Sequence, residues 1–72
     1  MTNTEKLEEK IKQSGKKKIY LAEKVGLTTQ GLRNCILNKA EFKARQIDIL
    51  CKELDIVEYD EMKAIFFAKS GA

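Results

Sequence analysis

The stretch L-A-E-K-V-G-L-T-T-Q-G-L-R-N-C, from Leu21 to Cys35, decides the fold. Ala22 precedes Gly26 by four residues, and apolar side chains fall at Leu21, Val25, Leu27, Leu32 and Cys35. Two helices that meet at a sharp angle bring their backbones together, and only a small side chain such as Ala22 fits at the closest point. Gly26 takes positive φ without the steric cost of a Cβ, so the first helix ends there. Leu27 fills the space between the helices, Thr28 caps the second, and Leu32 and Cys35 turn inward from it. The spacing predicts two short helices joined by a tight turn, the second running from Thr28 to about Leu37 with Leu32 and Ile36 on one face.

Working outward, Thr2 and Glu5 have the spacing of a capping box, which opens a first helix carrying Leu7 and Ile11 on one face. Gly15 ends that helix. The helix before the turn then runs to about Lys24, with Ile19, Leu21, Ala22 and Val25 as its apolar positions. Asn38 to Glu41 is a polar link with Phe42 as an anchor beneath it. Beyond it, Ala44, Ile47, Leu50, Cys51 and Leu54 form the stripe of a fourth amphipathic helix. Glu58, Asp60 and Glu61 sit where a helix dipole favours acids, at the start of a fifth helix whose inner face is Met62, Ile65 and Phe66. A frayed tail is expected from Lys69 onward. No segment alternates with period two, and there is no Asn-Gly or Asp-Gly hairpin signal. The predicted fold is all-α, a compact bundle of five short helices.

Seventy-two residues fit a single domain, 1–72, that buries about 60% of the surface its unfolded chain exposes. Pairing with a second copy is a natural supplement to so small a core. No apolar run reaches the roughly 18 residues of a membrane span, and the N-terminus lacks the layout of a secretion signal. Cys35 and Cys51 each fall on an apolar stripe, with no histidine and no CxxC in the chain. Buried, reduced thiols in a cytoplasmic protein are expected, and no metal, cofactor or small-molecule ligand. Without a histidine, a nucleophile beside a base, a phosphate loop or a carboxylate pair, the sequence offers nothing for catalysis.

Charge is graded along the chain. Residues 1–45 carry eleven Lys or Arg against five Glu, a net +6, and residues 46–72 carry three Lys against six acids, a net −3. A basic half suits a polyanion, and an acidic half is better held away from one.

The outward face of the second helix of the pair is Thr29, Gln30, Arg33, Asn34 and Leu37. An α-helix fits the major groove of B-DNA with its N-terminal residues at base edges. Gln30 and Asn34 each donate and accept together, matching adenine N6 and N7. Arg33 suits guanine O6 and N7, and Thr29 suits a thymine methyl. Lys17, Lys18, Thr28, Asn38, Lys39 and Lys43 surround this face as contacts to the DNA backbone. Gly31 costs about 1 kcal/mol in a helix relative to alanine, set against a close approach of backbone to DNA or to a neighbouring helix.

These residues resemble the lambda-repressor and Cro-like helix-turn-helix superfamily, closest to small regulators of phages and prophages of Gram-positive bacteria. The likeness runs through L-x-x-x-I at Leu7 to Ile11, Ser14-Gly15, Y-L-A-E-K-V-G-L-T at Tyr20 to Thr28, Leu32, Ile36, Asn38-Lys39 and Phe42. It continues through I-x-x-L-C-x-x-L-x-I at Ile47 to Ile56 and I-F-F-A at Ile65 to Ala68. It implies a lambda-repressor-like DNA-binding domain that binds double-stranded operator DNA, usually as a homodimer, and represses transcription in the bacterial cytoplasm. The chain departs from the family at Lys17 and Lys18, where a polar pair such as Thr-Gln is common, and at Lys43, where Ser or Thr often caps the fourth helix. The lack of a sensor or second domain points to a Cro-type role. Phe66, Phe67, Ile49 and Val57 are candidates for a dimer interface. The alternative is a protein-interaction module of the same fold, antitoxin-like or anti-repressor-like, with DNA binding secondary or absent.

Overall fold

Left-handed residues punctuate this chain and cut it into short helices. The computed structural model describes residues 1–69, and among them there are five α-helices and no strand. These are α1 (Thr4–Ser14), α2 (Lys18–Val25), α3 (Thr29–Ile36), α4 (Ala44–Glu53) and α5 (Tyr59–Phe66). Part of the expected frayed tail, 70–72, lies outside the described residues. Gly15 and Gly26 take φ of 71° and 77° after α1 and α2. Asn38 and Asp55 do the same after α3 and α4, at 64° and 61°. Asparagine and aspartate tolerate this region better than other side chains that carry a Cβ.

The cap after α2 is a Schellman turn, in which Gly26 N donates to Glu23 O and Leu27 N to Ala22 O. Three residues, 26–28, therefore reverse the chain between α2 and α3. At the far end of α3 the same turn is built on Asn38, whose N–H reaches Cys35 O while Lys39 N reaches Asn34 O at 2.8 Å. After α4, Ile56 N bonds Cys51 O beyond Asp55, and Ile56 is buried.

One apolar cluster joins all five helices. Leu7, Ile11, Leu21, Val25, Leu32, Ile36, Leu50, Ile65 and Phe66 belong to it, and Leu7, Leu21, Leu32 and Leu50 are wholly inaccessible. Helix α2 packs on α3 and α4, while α1 packs on α3 and α5. Ala22 is buried in α2, as the close crossing demands. Phe42 anchors the α3–α4 link edge-on against Phe66, with ring centroids 5.5 Å apart. The radius of gyration is 11.0 Å, the value of a compactly folded chain of this length.

Four local expectations are corrected. Asn3, not Thr2, caps α1, accepting from Lys6 N at 3.1 Å; Thr2 is buried and paired elsewhere, so no Thr2–Glu5 capping box forms. Ile19 points to solvent, because α2 turns its Leu21, Ala22 and Val25 inward. On α4, Ala44 is exposed and Gln46 is buried. The Gln46 carboxamide reaches back to accept from Lys43 N at 2.9 Å, which starts α4 without a serine or threonine cap. Cys35 is buried but Cys51 is only half-buried; both are free thiols, and burial raises the pKa of each.

Candidate functional site

Helix α3 has one face in the core and one in solvent. Leu32, Cys35 and Ile36 form the inner face. Gln30 and Arg33 are exposed, Thr29 and Asn34 are partly covered, and Leu37 follows them into solvent. Gln30 Nε2 donates to Asn34 Oδ1 at 3.0 Å, which ties the two carboxamides together one turn apart. The pairing leaves Gln30 Oε1 as an acceptor and Asn34 Nδ2 as a donor, a combination suited to a base edge.

Thr28 opens the helix by accepting from Gly31 N at 3.0 Å through its hydroxyl. The glycine at position 31 has a structural reason here. A Cβ on Gly31 would lie 3.2 Å from that hydroxyl oxygen and 3.6 Å from Leu27 Cβ. The close approach at this glycine is to the cap of α3, not to a neighbouring helix.

Some of the basic residues are held in ion pairs. Lys18 pairs with Glu8 of α1 at 2.8 Å, and Lys10 pairs with Glu61 at 2.9 Å. Lys16 binds Glu53 at 2.9 Å and its backbone oxygen at 2.7 Å. That hydrogen bond raises the Lys16 pKa and lowers that of Glu53. Among the described residues, Lys17, Arg33, Lys39, Lys43 and Arg45 take part in no ion pair, and neither do Lys6, Lys12, Lys24, Lys63 and Lys69 elsewhere on the surface; all of these are exposed. Arg45 went unseen in the sequence. Its guanidinium comes within 3.8 Å of the position a Cβ on Gly26 would occupy, beside the α2–α3 turn. Helical periodicity marks Arg45 only as an outward residue of α4; nothing local says that α4 brings it to that turn.

The helix starts carry a matching signal. The first turns of α1 and α5 hold Glu5 and Asp60 with Glu61, as the dipole favours. The first turns of α2, α3 and α4 hold no acid. Lys17 and Lys18 stand at the start of α2, and Lys43 and Arg45 at the start of α4. Lysine and arginine there oppose the local helix dipole, an arrangement that makes sense where an anion is expected.

Asn38, expected as a DNA-backbone contact, also has a partner within the chain. Its carboxamide bonds the backbone of Thr2, accepting from Thr2 N at 2.8 Å and donating to Thr2 O at 2.9 Å, while the residue itself is exposed. Lys18 and Asn38 are thus bound within the chain. Thr28, Thr29, Gln30, Arg33, Asn34, Lys17, Lys39 and Lys43 lie on α3, at its ends, or at the starts of α2 and α4.

Of the apolar residues considered for a dimer interface, Phe66 is buried and Ile49 is half-covered by the core. Val57 and Phe67 are exposed, at 83% and 54%, together with Tyr59 at 67%. They edge an open groove of about 400 Å³ between α4 and α5, lined also by Ile47, Cys51 and Met62. Among the described residues no helix is long and apolar enough to cross a membrane, and no cluster of potential metal ligands occurs. No family model, curated protein or solved structure matches the chain.

Proposed function

We propose that this chain is a sequence-specific DNA-binding regulator of transcription, a helix-turn-helix protein of the lambda-repressor-like, Cro-type kind. Helix α3 lies in the major groove of operator DNA. The observation that carries the reading is the outward face of α3. It combines the paired carboxamides of Gln30 and Asn34 with the unpaired guanidinium of Arg33. Around it stand Lys17, Lys39, Lys43 and Arg45, all exposed and outside the ion pairs of the structure. Gln30, Asn34, Arg33 and Thr29 read base edges. Lys17, Thr28, Lys39, Lys43 and Arg45 face phosphates, supplying affinity without sequence preference. Two copies occupy a palindromic operator, and the Val57–Tyr59–Phe67 surface is the apolar area that pairing covers. The same surface favours a second reading, a module that binds another protein through the α4–α5 groove.

Selection from a pool of random duplexes separates the two. The DNA reading expects enrichment of one palindromic sequence, and sedimentation at saturation expects two chains per duplex. A pool that stays random sinks it in favour of the protein-binding module. For the phosphate contacts, Lys17→Ala is expected to weaken binding to selected and scrambled duplexes alike. It should also reduce the slope of log affinity against log salt by about one. An unchanged slope in a salt titration removes Lys17 from the interface.

A further inference from the structure

We infer that Asn38 is a positioning residue for α3, and that it acts through the N-terminal segment Met1–Thr4; the inference rests on α3 being the DNA-reading helix. Four consecutive residues of that segment are pinned. Thr2 N and O are both held by the Asn38 carboxamide, at 2.8 and 2.9 Å. The Thr4 hydroxyl donates to Ile36 O at 2.6 Å. On the other side, Asn3 N donates to Ile65 O at 2.7 Å and Ala68 N to Met1 O at 2.8 Å. The segment is therefore a strap between the end of α3 and the end of α5, and Thr2 is 6% exposed within it.

Helix α3 has eight residues. Its start is fixed by the α2–α3 turn, but its end runs into a polar link whose residues 38–41 are exposed. The bonds from Ile36 O and the Asn38 side chain tie that end to the strap. Asn34 lies in the last turn of α3, with Gln30 joined to it at 3.0 Å. Reading a base edge requires side chains held within about 0.5 Å of their working position, whereas attraction to phosphates tolerates looser placement. Releasing the strap therefore lowers discrimination between sequences more than it lowers general attraction to DNA.

The discriminating variant is Asn38→Gly, because glycine takes the left-handed φ without steric strain and lacks the side chain that forms the clamp. Thr4→Val is the second variant, removing the hydroxyl at nearly constant shape. Each is compared with the unaltered chain by fluorescence anisotropy on the selected duplex and on a scrambled one. Amide hydrogen exchange of Thr2 and of the last turn of α3 is followed without DNA. Asn38→Gly is expected to retain its helix content and its scrambled-duplex affinity. It should lose about tenfold on the selected duplex, the scale of one impaired base contact, with faster exchange at both places. Thr4→Val should move the same way by a smaller factor. Unchanged discrimination, or equal losses on both duplexes, overturns the positioning role. If the unaltered chain prefers no duplex, the DNA reading fails instead. Exchange still judges the clamp in that case, since wild-type protection in Asn38→Gly overturns it.

Discussion

Leu32→Ala is expected to destabilise the protein by about 2–5 kcal/mol, the range for truncating a buried leucine where the surroundings cannot close in. Leu32 is wholly inaccessible and sits on the inner face of α3, the helix that packs on both α1 and α2. A chain of 72 residues has a total stability of roughly 4–11 kcal/mol, so this one side chain carries a large fraction of it. Thermal denaturation followed by circular dichroism should show a midpoint lower by about 10 °C or more. Leu32→Met, which keeps volume, should cost less than about 1.5 kcal/mol. Because α3 carries the proposed base-reading face, Leu32→Ala should weaken binding to selected and scrambled duplexes together near its midpoint temperature. A loss of stability below about 1 kcal/mol would mean that α3 is held by its end contacts and not by this side chain.

The core that Leu32 belongs to was legible because it follows from spacing. Leu7 and Ile11, Leu32 and Ile36, and Ile47, Leu50 and Leu54 step at helical intervals, and all are buried. Ala22 and Gly26 marked the α2–α3 turn for the same kind of reason, since close approach and positive φ restrict residue choice to a few types. The turns after α3 and α4 were less visible because Asn38 and Asp55 hold the left-handed positions. These residues serve equally well in links and on surfaces, so their local pattern does not single them out. The roles of Thr2, Asn38 and Arg45 could not be read locally. Thr2 and Asn38 are 36 positions apart, and Arg45 meets the α2–α3 turn only because α4 packs on α2. Lys18 looked like its neighbour Lys17 in the sequence. What separates them is the carboxylate of Glu8, brought within 2.8 Å of Lys18 by the packing of the bundle.

On the proposed reading, the acidless starts of α2, α3 and α4 have a common meaning. In a bundle optimised for stability alone, acids would sit at those N-termini as they do in α1 and α5. Their absence leaves unpaired Lys17, Lys43 and Arg45 at the starts of α2 and α4 with no acid in the same turn. The ion pairs of Lys10 and Lys18 tie α1 to α5 and α2 to α1, and that of Lys16 ties the α1–α2 link to α4. On the same reading, a phosphate backbone draws on Lys17, Lys43 and Arg45 and leaves these ion pairs in place.

The largest functional effects are expected at Gln30 and Asn34. Gln30→Ala and Asn34→Ala should each lose about 1–3 kcal/mol of binding on the selected duplex, roughly 5- to 150-fold, and little on a scrambled one. Neither should move stability by more than about 0.5 kcal/mol, because the pair lies on the solvent face of α3. The 3.0 Å hydrogen bond between them adds a second expectation. Each carboxamide aligns the other, so removing one already misplaces its partner. The double variant should then lose less than the sum of the singles, by at least about 0.5 kcal/mol, as contacting residues do. Strictly additive losses would mean that the two amides separate on DNA and read their bases independently. Equal losses on both duplexes would move them from base edges to phosphates. In that case the specificity of α3 would rest on Arg33 and Thr29 alone.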